Sequence, residues 1–319
     1  MASRIHSMRL PKALPPPGQT GMLPHPCSTE KSISGVTPSP SPTTACARPW
    51  HGRWCTSSLP SPKTPAAVCR ALLAHPLISL QSDCGSLSLS HGPDGSWQAV
   101  DAQGAVLAEA NTAILATAHA ALQQPELKWL PLTAIRGQTT HLPTSLEFAQ
   151  LAVTLCDQGY LPPARAGLHC LGASFGPGDA GKDEREAEHA HNIDMVKTAL
   201  PDLDLGGPDE GWQGHVAHRC NSNDYLPVAG PVPMLDEFNR RYEQLRHDRK
   251  RVIDAPSPML PGLAVLTSMG SRGLSAAPLA AEMVADQLMG TLPAVPRYLQ
   301  RALSPARFAE RGLKRGEPL

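Results

Sequence analysis

A chain of 319 residues has room for one large domain or two ordinary ones. Its 28 Lys plus Arg balance 28 Asp plus Glu, so no global charge draws it to nucleic acid, and an RNA contact needs a local basic patch. Hydrophobic residues at 41% and 34 prolines mark part of the chain as unable to pack. The basic patch available is Arg240, Arg241, Arg246, Arg249, Lys250 and Arg251, a run whose first reading is a solvated helix face or loop. Eight scattered cysteines without a Cys-x-x-Cys pair fit neither a zinc site nor a small disulfide scaffold, so no metal is expected and the default compartment is the cytoplasm. No apolar run reaches the length needed to cross a bilayer, so no membrane partner is expected.

Residues 1–60 are rich in Pro, Ser and Thr, with Glu30 as their one acid, and read as a disordered segment. Ala66 to Leu73 predicts a short helix with Val68, Leu72 and Leu73 inward. Ile78–Leu80 and Leu87–Ser90 predict strands, and the Gly-Pro-Asp-Gly at 92–95 predicts a turn. Trp97–Val100 and Ala105–Leu107 form a hairpin around Asp101–Gly104. Thr112–Ala116 is a short apolar run of the kind found in a fully buried strand.

Leu132–Leu142 alternates as a sheet strand, and Gly159–Pro162 and His169–Ser174 suggest two more. Asp183–Leu200 predicts a helix with Asp183 as its cap and Pro201 as its stop. His189 and His191, two apart, read as surface histidines. Trp212–Cys220 is strand-like, and 236–251 is a charged helix or loop. The last unit is the clearest: a buried strand at Leu263–Thr267, a tight Gly-Ser-Arg-Gly turn at 270–273, and a helix at 275–289. The helix carries Ala276, Leu279, Ala280, Met283, Val284, Gln287 and Leu288 on one stripe, and Gly290 ends it.

A strand, a Gly-x-x-Gly turn and a helix N-terminus make a useful site. Glycines let the backbone approach a ligand, and free N–H groups favour negative charge. The segments around this turn resemble the D-amino-acid-oxidase superfamily of FAD-dependent oxidoreductases. "LAVLTSMGSRGLSAAPLAAEMVADQLMG" at 263–290 resembles its C-terminal flavin-contacting segment, and "RCNSNDYLPVAGPVP" at 219–233 the strand and loop before it. "IRGQTTHLP" at 135–143 and "AILATAHAA" at 113–121 resemble the strands that enter and leave the substrate domain. "GYLPPARAGLHCLGASF" at 159–175 and "LSPARFAERGLKRG" at 303–316 narrow the likeness to the branch that modifies the tRNA wobble uridine.

The resemblance covers about 64–319 and implies an α/β (α+β) fold. A partial FAD-binding Rossmann-like domain would join an antiparallel-sheet substrate domain at about 130–220, with C-terminal flavin-domain elements at about 260–319. The family opens with a βαβ unit whose Gly-x-Gly-x-x-Gly turn holds the FAD pyrophosphate, and no such unit is read in this chain. The chain is therefore expected to be N-terminally truncated and not to hold FAD alone, with a methyltransferase domain or chain upstream. The implied reaction removes the carboxymethyl arm of carboxymethylaminomethyl-(2-thio)uridine in tRNA as glyoxylate. Arg219 would bind the substrate carboxylate, and Tyr160 would close the pocket. Gly270, Ser271, Arg272, Gly273 and Leu274 would bind the cofactor, and no catalytic residue is assigned. The alternative to a carboxylate-binding Arg219 is an ion pair with Asp224 or another acid, and Tyr160 reads equally as a half-buried core tyrosine; Arg136, His119 and His141 read as structural. Other readings of the whole are a non-catalytic remnant or interaction module, and a glycine- or sarcosine-type small-amine oxidase.

Overall fold

The structure, a computed structural model, describes residues 65–144, 151–201, 205, 212–317 and 319, all of them in the unit Gly52–Leu319. The expectation for 1–60 lies outside these residues. Helix α1 (Pro65–Leu73) forms where expected but buries no residue; Leu72 and Leu73 are exposed. Ile78–Leu80 is not a strand, because it has no ladder partner among the described residues. Strands β1 (Ser88–His91), β2 (Trp97–Val100) and β3 (Val106–Ala110) form an antiparallel meander. Its second turn is built by Asp101, whose Oδ1 accepts the N–H groups of Gln103 and Ala105. Trp97 is buried and donates its indole N–H to the Pro261 carbonyl at 2.9 Å.

Strand β4 (Ala113–Leu115) is followed by β5 (Leu132–Pro143), the longest strand. Then come β6 (Leu155–Cys156), β7 (Tyr160–Leu161), β8 (Leu168–Gly172), β9 (Gly176–Pro177), helix α2 (Glu186–Ala199) and β10 (Gln213–Ser222). These build an antiparallel sheet in the order β10-β5-β8-β7-β6, with β9 also paired to β5. Strand β11 (Val228–Pro233), helix α3 (Leu235–Arg241), β12 (Met259–Thr267), α4 (Gly273–Met289), α5 (Arg297–Leu303) and α6 (Ala306–Arg315) complete the chain.

β12 runs antiparallel to β11 and parallel to β4, with Leu263 opposite Ala113 and Val265 opposite Leu115. The two apolar runs expected to share a small parallel sheet therefore do so. β4 is not fully buried, however. Ile114 is 48% exposed, because β4 has a partner on one side only among the described residues. Ala280, Met283 and Val284 of α4 pack on Ala229 and Ala264, while Leu279, expected on the same stripe, is exposed. Gly290 ends α4 with a left-handed φ of 68°, as a C-terminal glycine should.

α2 lies across one face of the large sheet. That face is polar at one end, with Arg136, Gln138 and Thr140 fully buried, and apolar at the other, with Leu142 and Leu171 against Ile193 and Val196. His189 is consequently buried, not on the surface, and its Nδ1 bonds the Thr140 hydroxyl at 2.9 Å. Nor does Asp183 cap the helix. α2 begins at Glu186, and Gln138 from β5 holds its entry by accepting the Arg185 N–H and donating to the Arg185 carbonyl, both at 2.8 Å. A neighbouring strand supplies what a local cap would have.

Asp224, after β10, ties that turn to α6. It accepts Arg307 Nε and Nη2, each at 2.9 Å, as well as Arg311 Nη1 and the Ser222 hydroxyl. Partial burial alone would raise its carboxyl, but the bonds from Arg307, Arg311 and Ser222 outweigh it and hold the group well below the usual carboxylate range. A depressed carboxyl contributes stability that is present above the unfolded value, about 3.9, and is lost as pH falls toward the folded one. Asp224→Asn is expected to cost about 2 kcal/mol at pH 7, since Arg307 is buried and loses its charge partner. In urea titrations the gap to the parent should narrow as pH falls below about 4; equal stability at pH 7 would reject the role.

Candidate active site

The face of the large sheet opposite α2 carries the groups that matter. Side chains alternate along a strand, so Gly137, Thr139 and His141 of β5 point away from α2. Register places Ala217 opposite Gly137, Arg219 opposite Ile135, Gly172 opposite Thr139 and Cys170 opposite His141. Tyr160 pairs with Gly172 on the next strand. Arg219, Tyr160, His141 and His215 thereby share one face.

Two glycines make its floor. A Cβ on Gly137 would stand 3.0–3.1 Å from the guanidinium atoms of Arg219, so that side chain lies flat across the neighbouring strand. A Cβ on Gly172 would stand 3.0 Å from the Tyr160 hydroxyl. Arg219 is half-buried and has no hydrogen-bond or ion-pair partner among the described residues. The pairing with Asp224 is not made, since Arg307 and Arg311 occupy that carboxylate. Burial raises the Tyr160 pKa, Cys170 adds to this and Arg219 opposes it, so the phenol is a neutral donor at ordinary pH. Burial lowers the His141 pKa, His215 adds to it and Glu184 opposes it. Its Nε2 meets the Thr139 hydroxyl at 3.2 Å. Arg136 is structural, as read, and faces α2.

Two residues beyond Arg219, Asn221 brings the same strand to the glycine turn. A Cβ on Gly270 would stand 3.2 Å from Asn221 Oδ1, a buried oxygen with no hydrogen-bond partner among the described residues. Gly270 has a φ of +55°, a region glycine enters without strain. Residues 270–272 form a single 3-10 turn, and α4 starts at Gly273 with no side-chain cap. Ser271, Arg272 and Leu274 are exposed. The turn therefore presents a positive helix end next to the strand that carries Arg219. Sequence reading named Arg219, Tyr160 and the turn but missed Gly137, Thr139, Gly172 and Asn221. The alternation on either side of Arg219 was the signal for Asn221; the others needed the register.

The letters Gly-x-Gly-x-x-Gly do occur, at 176–181. They do not form a phosphate-binding turn. β9 has two residues, Asp179 inside the loop accepts the Gly181 N–H at 2.8 Å, and Arg185 binds the same carboxylate. That hydrogen bond from Arg185, then the Gly181 N–H, hold Asp179 at a pKa of about 2. A carboxylate already fills the place an anion would take.

This face and turn define the class of protein: the chain belongs to the FAD dependent oxidoreductase family, whose pattern matches residues 64–287. Its relatives include the tRNA 5-methylaminomethyl-2-thiouridine biosynthesis bifunctional protein MnmC of Chromobacterium violaceum, 39% identical over 256 residues, covering 79% of this chain and 38% of that one. The protein of the same name from Pseudomonas fluorescens is 40% identical over 258 residues, covering 79% and 39%. The chain thus spans about two fifths of the length of these relatives. Among solved structures it is similar to glycine oxidase from Geobacillus kaustophilus (TM-score 0.52, 16% identity, covering 69% of this chain and 51% of that one) and to iminodiacetate oxidase from Chelativorans (TM-score 0.51, 20%, covering 69% and 52%). At these identities the likeness shows the fold. No helix among the described residues is long and apolar enough to cross a membrane, and no cluster of three His, Cys, Asp or Glu among them would hold a metal.

The residues present fit one end of FAD. The uncapped N-terminus of α4 and the cradle at Gly270 suit the electron-rich edge of a flat ring. For the pyrophosphate, no second strand–glycine turn–helix unit beside the one formed by β12, Gly270–Gly273 and α4 is found among the described residues. Gly273 provides a direct test. A Cβ there meets only Met269 Cβ, at 3.5 Å, so the fold accommodates a side chain. Gly273→Val should therefore shift the unfolding free energy by no more than about 1 kcal/mol. It should abolish flavin retention, read from visible absorbance, once the part of the C. violaceum relative that precedes its aligned residues is fused ahead of residue 64. Undiminished flavin content would reject the role.

Proposed function

We propose that this chain supplies the amine-binding face and the ring-facing turn of an FAD-dependent oxidoreductase acting on carboxymethylaminomethyl-(2-thio)uridine at the tRNA wobble position. The observation that carries the reading is Arg219, a half-buried guanidinium laid over Gly137 without an acidic partner among the described residues, on the face that leads to Gly270–Leu274. A planar fork of donors suits the carboxylate that this substrate carries on its amine. Tyr160, neutral and beside Arg219, donates a second hydrogen bond to that carboxylate and sets the tilt of the arm. Bare backbone at Gly137 and Gly172 lets the arm lie against the sheet. Gly270–Leu274 holds the ring edge, with Ser271 and Arg272 at its rim and Gly273 giving the helix end. Held there, FAD would supply the acceptor for a hydride leaving the carbon between amine and carboxylate, and hydrolysis of the resulting C=N bond would release that arm as glyoxylate.

The relatives' name supports tRNA as the substrate, and their word "bifunctional" supports a second activity outside the aligned residues, which we assign to an upstream methyltransferase domain or chain. We place the substrate domain at about 130–220, the flavin elements at about 260–319, and the protein in the cytoplasm. The test fuses the part of the C. violaceum relative that precedes its aligned residues ahead of residue 64. The product should release glyoxylate from tRNA bearing the carboxymethylaminomethyl group and leave aminomethyl-uridine, seen by mass spectrometry of nucleosides. Oxidation of free glycine or sarcosine without action on tRNA would overturn the reading.

A further inference from the structure

Most exposed basic side chains here that make an ion pair do so with a specific acid. Arg185 pairs with Asp179, Arg240 and Arg241 with Glu237, Arg301 and Lys314 with Glu310, and Arg311 with Asp224. Arg70, Lys182, Lys197 and Arg297 are exposed singly without such a pair among the described residues, whereas the segment 246–251 gathers four basic side chains of this kind. It reads Arg246-His247-Asp248-Arg249-Lys250-Arg251, and every residue in it is exposed. None of its four Arg or Lys side chains has an ion-pair partner among the described residues. Its one acid is engaged locally, since Asp248 Oδ1 accepts the Lys250 N–H at 3.0 Å and the Asp248 carbonyl accepts the Arg251 N–H at 3.1 Å. These two bonds fold the run into a turn that holds Arg249, Lys250 and Arg251 at its tip.

The turn stands on a firm base. Leu245 just before it is buried with Phe238 against Ala309 and Leu313. Beyond it, the Tyr242 hydroxyl donates to the Ala255 carbonyl at 2.6 Å, and Arg241 donates to the Pro256 carbonyl at 3.0 Å. Both ends of the loop are thus clamped to α3, so its cations are presented on a braced element. In a chain with no net charge, a braced cluster of unneutralised cations is complementary to a polyanion with closely spaced charges.

We propose that the segment Arg246–Arg251 is the docking surface for an RNA phosphate backbone, a proposal that rests on the tRNA reading above. Phosphates contacted here position the RNA and carry no base information, leaving recognition of the modified uridine to the Arg219 face. Binding should weaken with salt, each phosphate contact contributing about 0.7 to 0.9 to the slope of log K against log salt.

The test measures binding of the full chain to unmodified tRNA over a salt series. Replacing Arg249, Lys250 and Arg251 together by Ala should lower the magnitude of the slope by about two to three. Arg249→Lys with Arg251→Lys keeps the charge and should keep the slope. Both variants should unfold at the parent's denaturant midpoint, because the three side chains have no ion-pair partner among the described residues. A parent chain that shows no salt-dependent RNA binding, or an alanine variant with the parent's slope, overturns the proposal. So does an alanine variant that binds RNA normally but no longer binds phosphatidylserine vesicles, which would make the segment a lipid contact. A lost slope in a chain indifferent to the carboxymethylaminomethyl group leaves the surface standing and rejects the substrate reading instead.

Discussion

Arg136→Leu is expected to lower the unfolding free energy by about 3–5 kcal/mol, the range for breaking a buried charge pair from one side. The guanidinium has no exposed surface. Its Nε donates to Glu188 Oε1 at 3.2 Å, Nη1 to the Gly181 carbonyl at 3.2 Å, and Nη2 to the Asp183 carbonyl at 2.7 Å and Gln138 Oε1 at 3.2 Å. Leucine fills part of the space but takes from the partly buried Glu188 carboxylate its buried cation, leaving it Ser174 and the exposed Arg185, and removes the guanidinium donor from two carbonyls. Lysine would not rescue it, since one ammonium cannot reach four acceptors set around a planar fork. The matched control is Arg185→Ala. Arg185 also pairs with Asp179, but its side chain is 45% exposed, and exposed pairs contribute about 0–1 kcal/mol. Urea unfolding of the two variants should separate by several kcal/mol. Losses of equal size would mean that burial does not set the value of this network. Arg136 sits between Ile135 and Gly137, so its loss should also disturb the floor beneath Arg219.

Arg219→Ala is expected to do the reverse: little to the fold and much to binding. Its guanidinium has no partner among the described residues, so truncation removes a half-buried charge without stranding an acid. Unfolding should change by less than about 1 kcal/mol. A charge-assisted pair with the substrate carboxylate contributes about 1.5–3 kcal/mol, or roughly 10- to 100-fold in affinity. The discriminating measurement compares two anticodon stem-loops, one with carboxymethylaminomethyl-uridine and one with methylaminomethyl-uridine. The parent should prefer the first and Arg219→Ala should bind both alike, with Arg219→Lys between them because it keeps the charge and loses the fork. In the fused, flavin-loaded protein, Arg219→Lys should raise the Michaelis constant more than it slows flavin reduction at saturation. A variant that unfolds easily yet keeps the preference would make Arg219 structural.

Local signals located most elements. Alternation marks β5, strand-like composition marks β10, the 3.6-residue period marks α4, and Gly270, Gly273 and Gly290 mark its two ends. Failures occurred where a neighbour decides the outcome. Ile78–Leu80 has strand composition, but a strand exists only with a partner. Thr112–Ala116 and the α1 leucines are apolar, but burial requires something to cover them. His189 was judged by its distance from His191, when its spacing to Asn192, Ile193 and Val196 was the informative one. The six letters at 176–181 match a phosphate motif whose meaning depends on a strand before it and a helix N-terminus after it.

The sequence by itself determined the family, the strand that bears Arg219 and the turn that opens α4, because these depend on residue type and spacing along the chain. Tertiary structure alone decided which groups stand together. Pairing of β5 with β10 brings Arg219 over Gly137 from a position far away in sequence, and pairing of β8 with both β5 and β7 sets Tyr160 over Gly172 on the same face. It also turns Arg136, one residue from Gly137, to the opposite face beneath α2. A strand fixes only which of its own residues share a side. Which strands lie beside it, and in what register, is set by long-range hydrogen bonds and by the packing of α2, and those appear only when the sheet has formed.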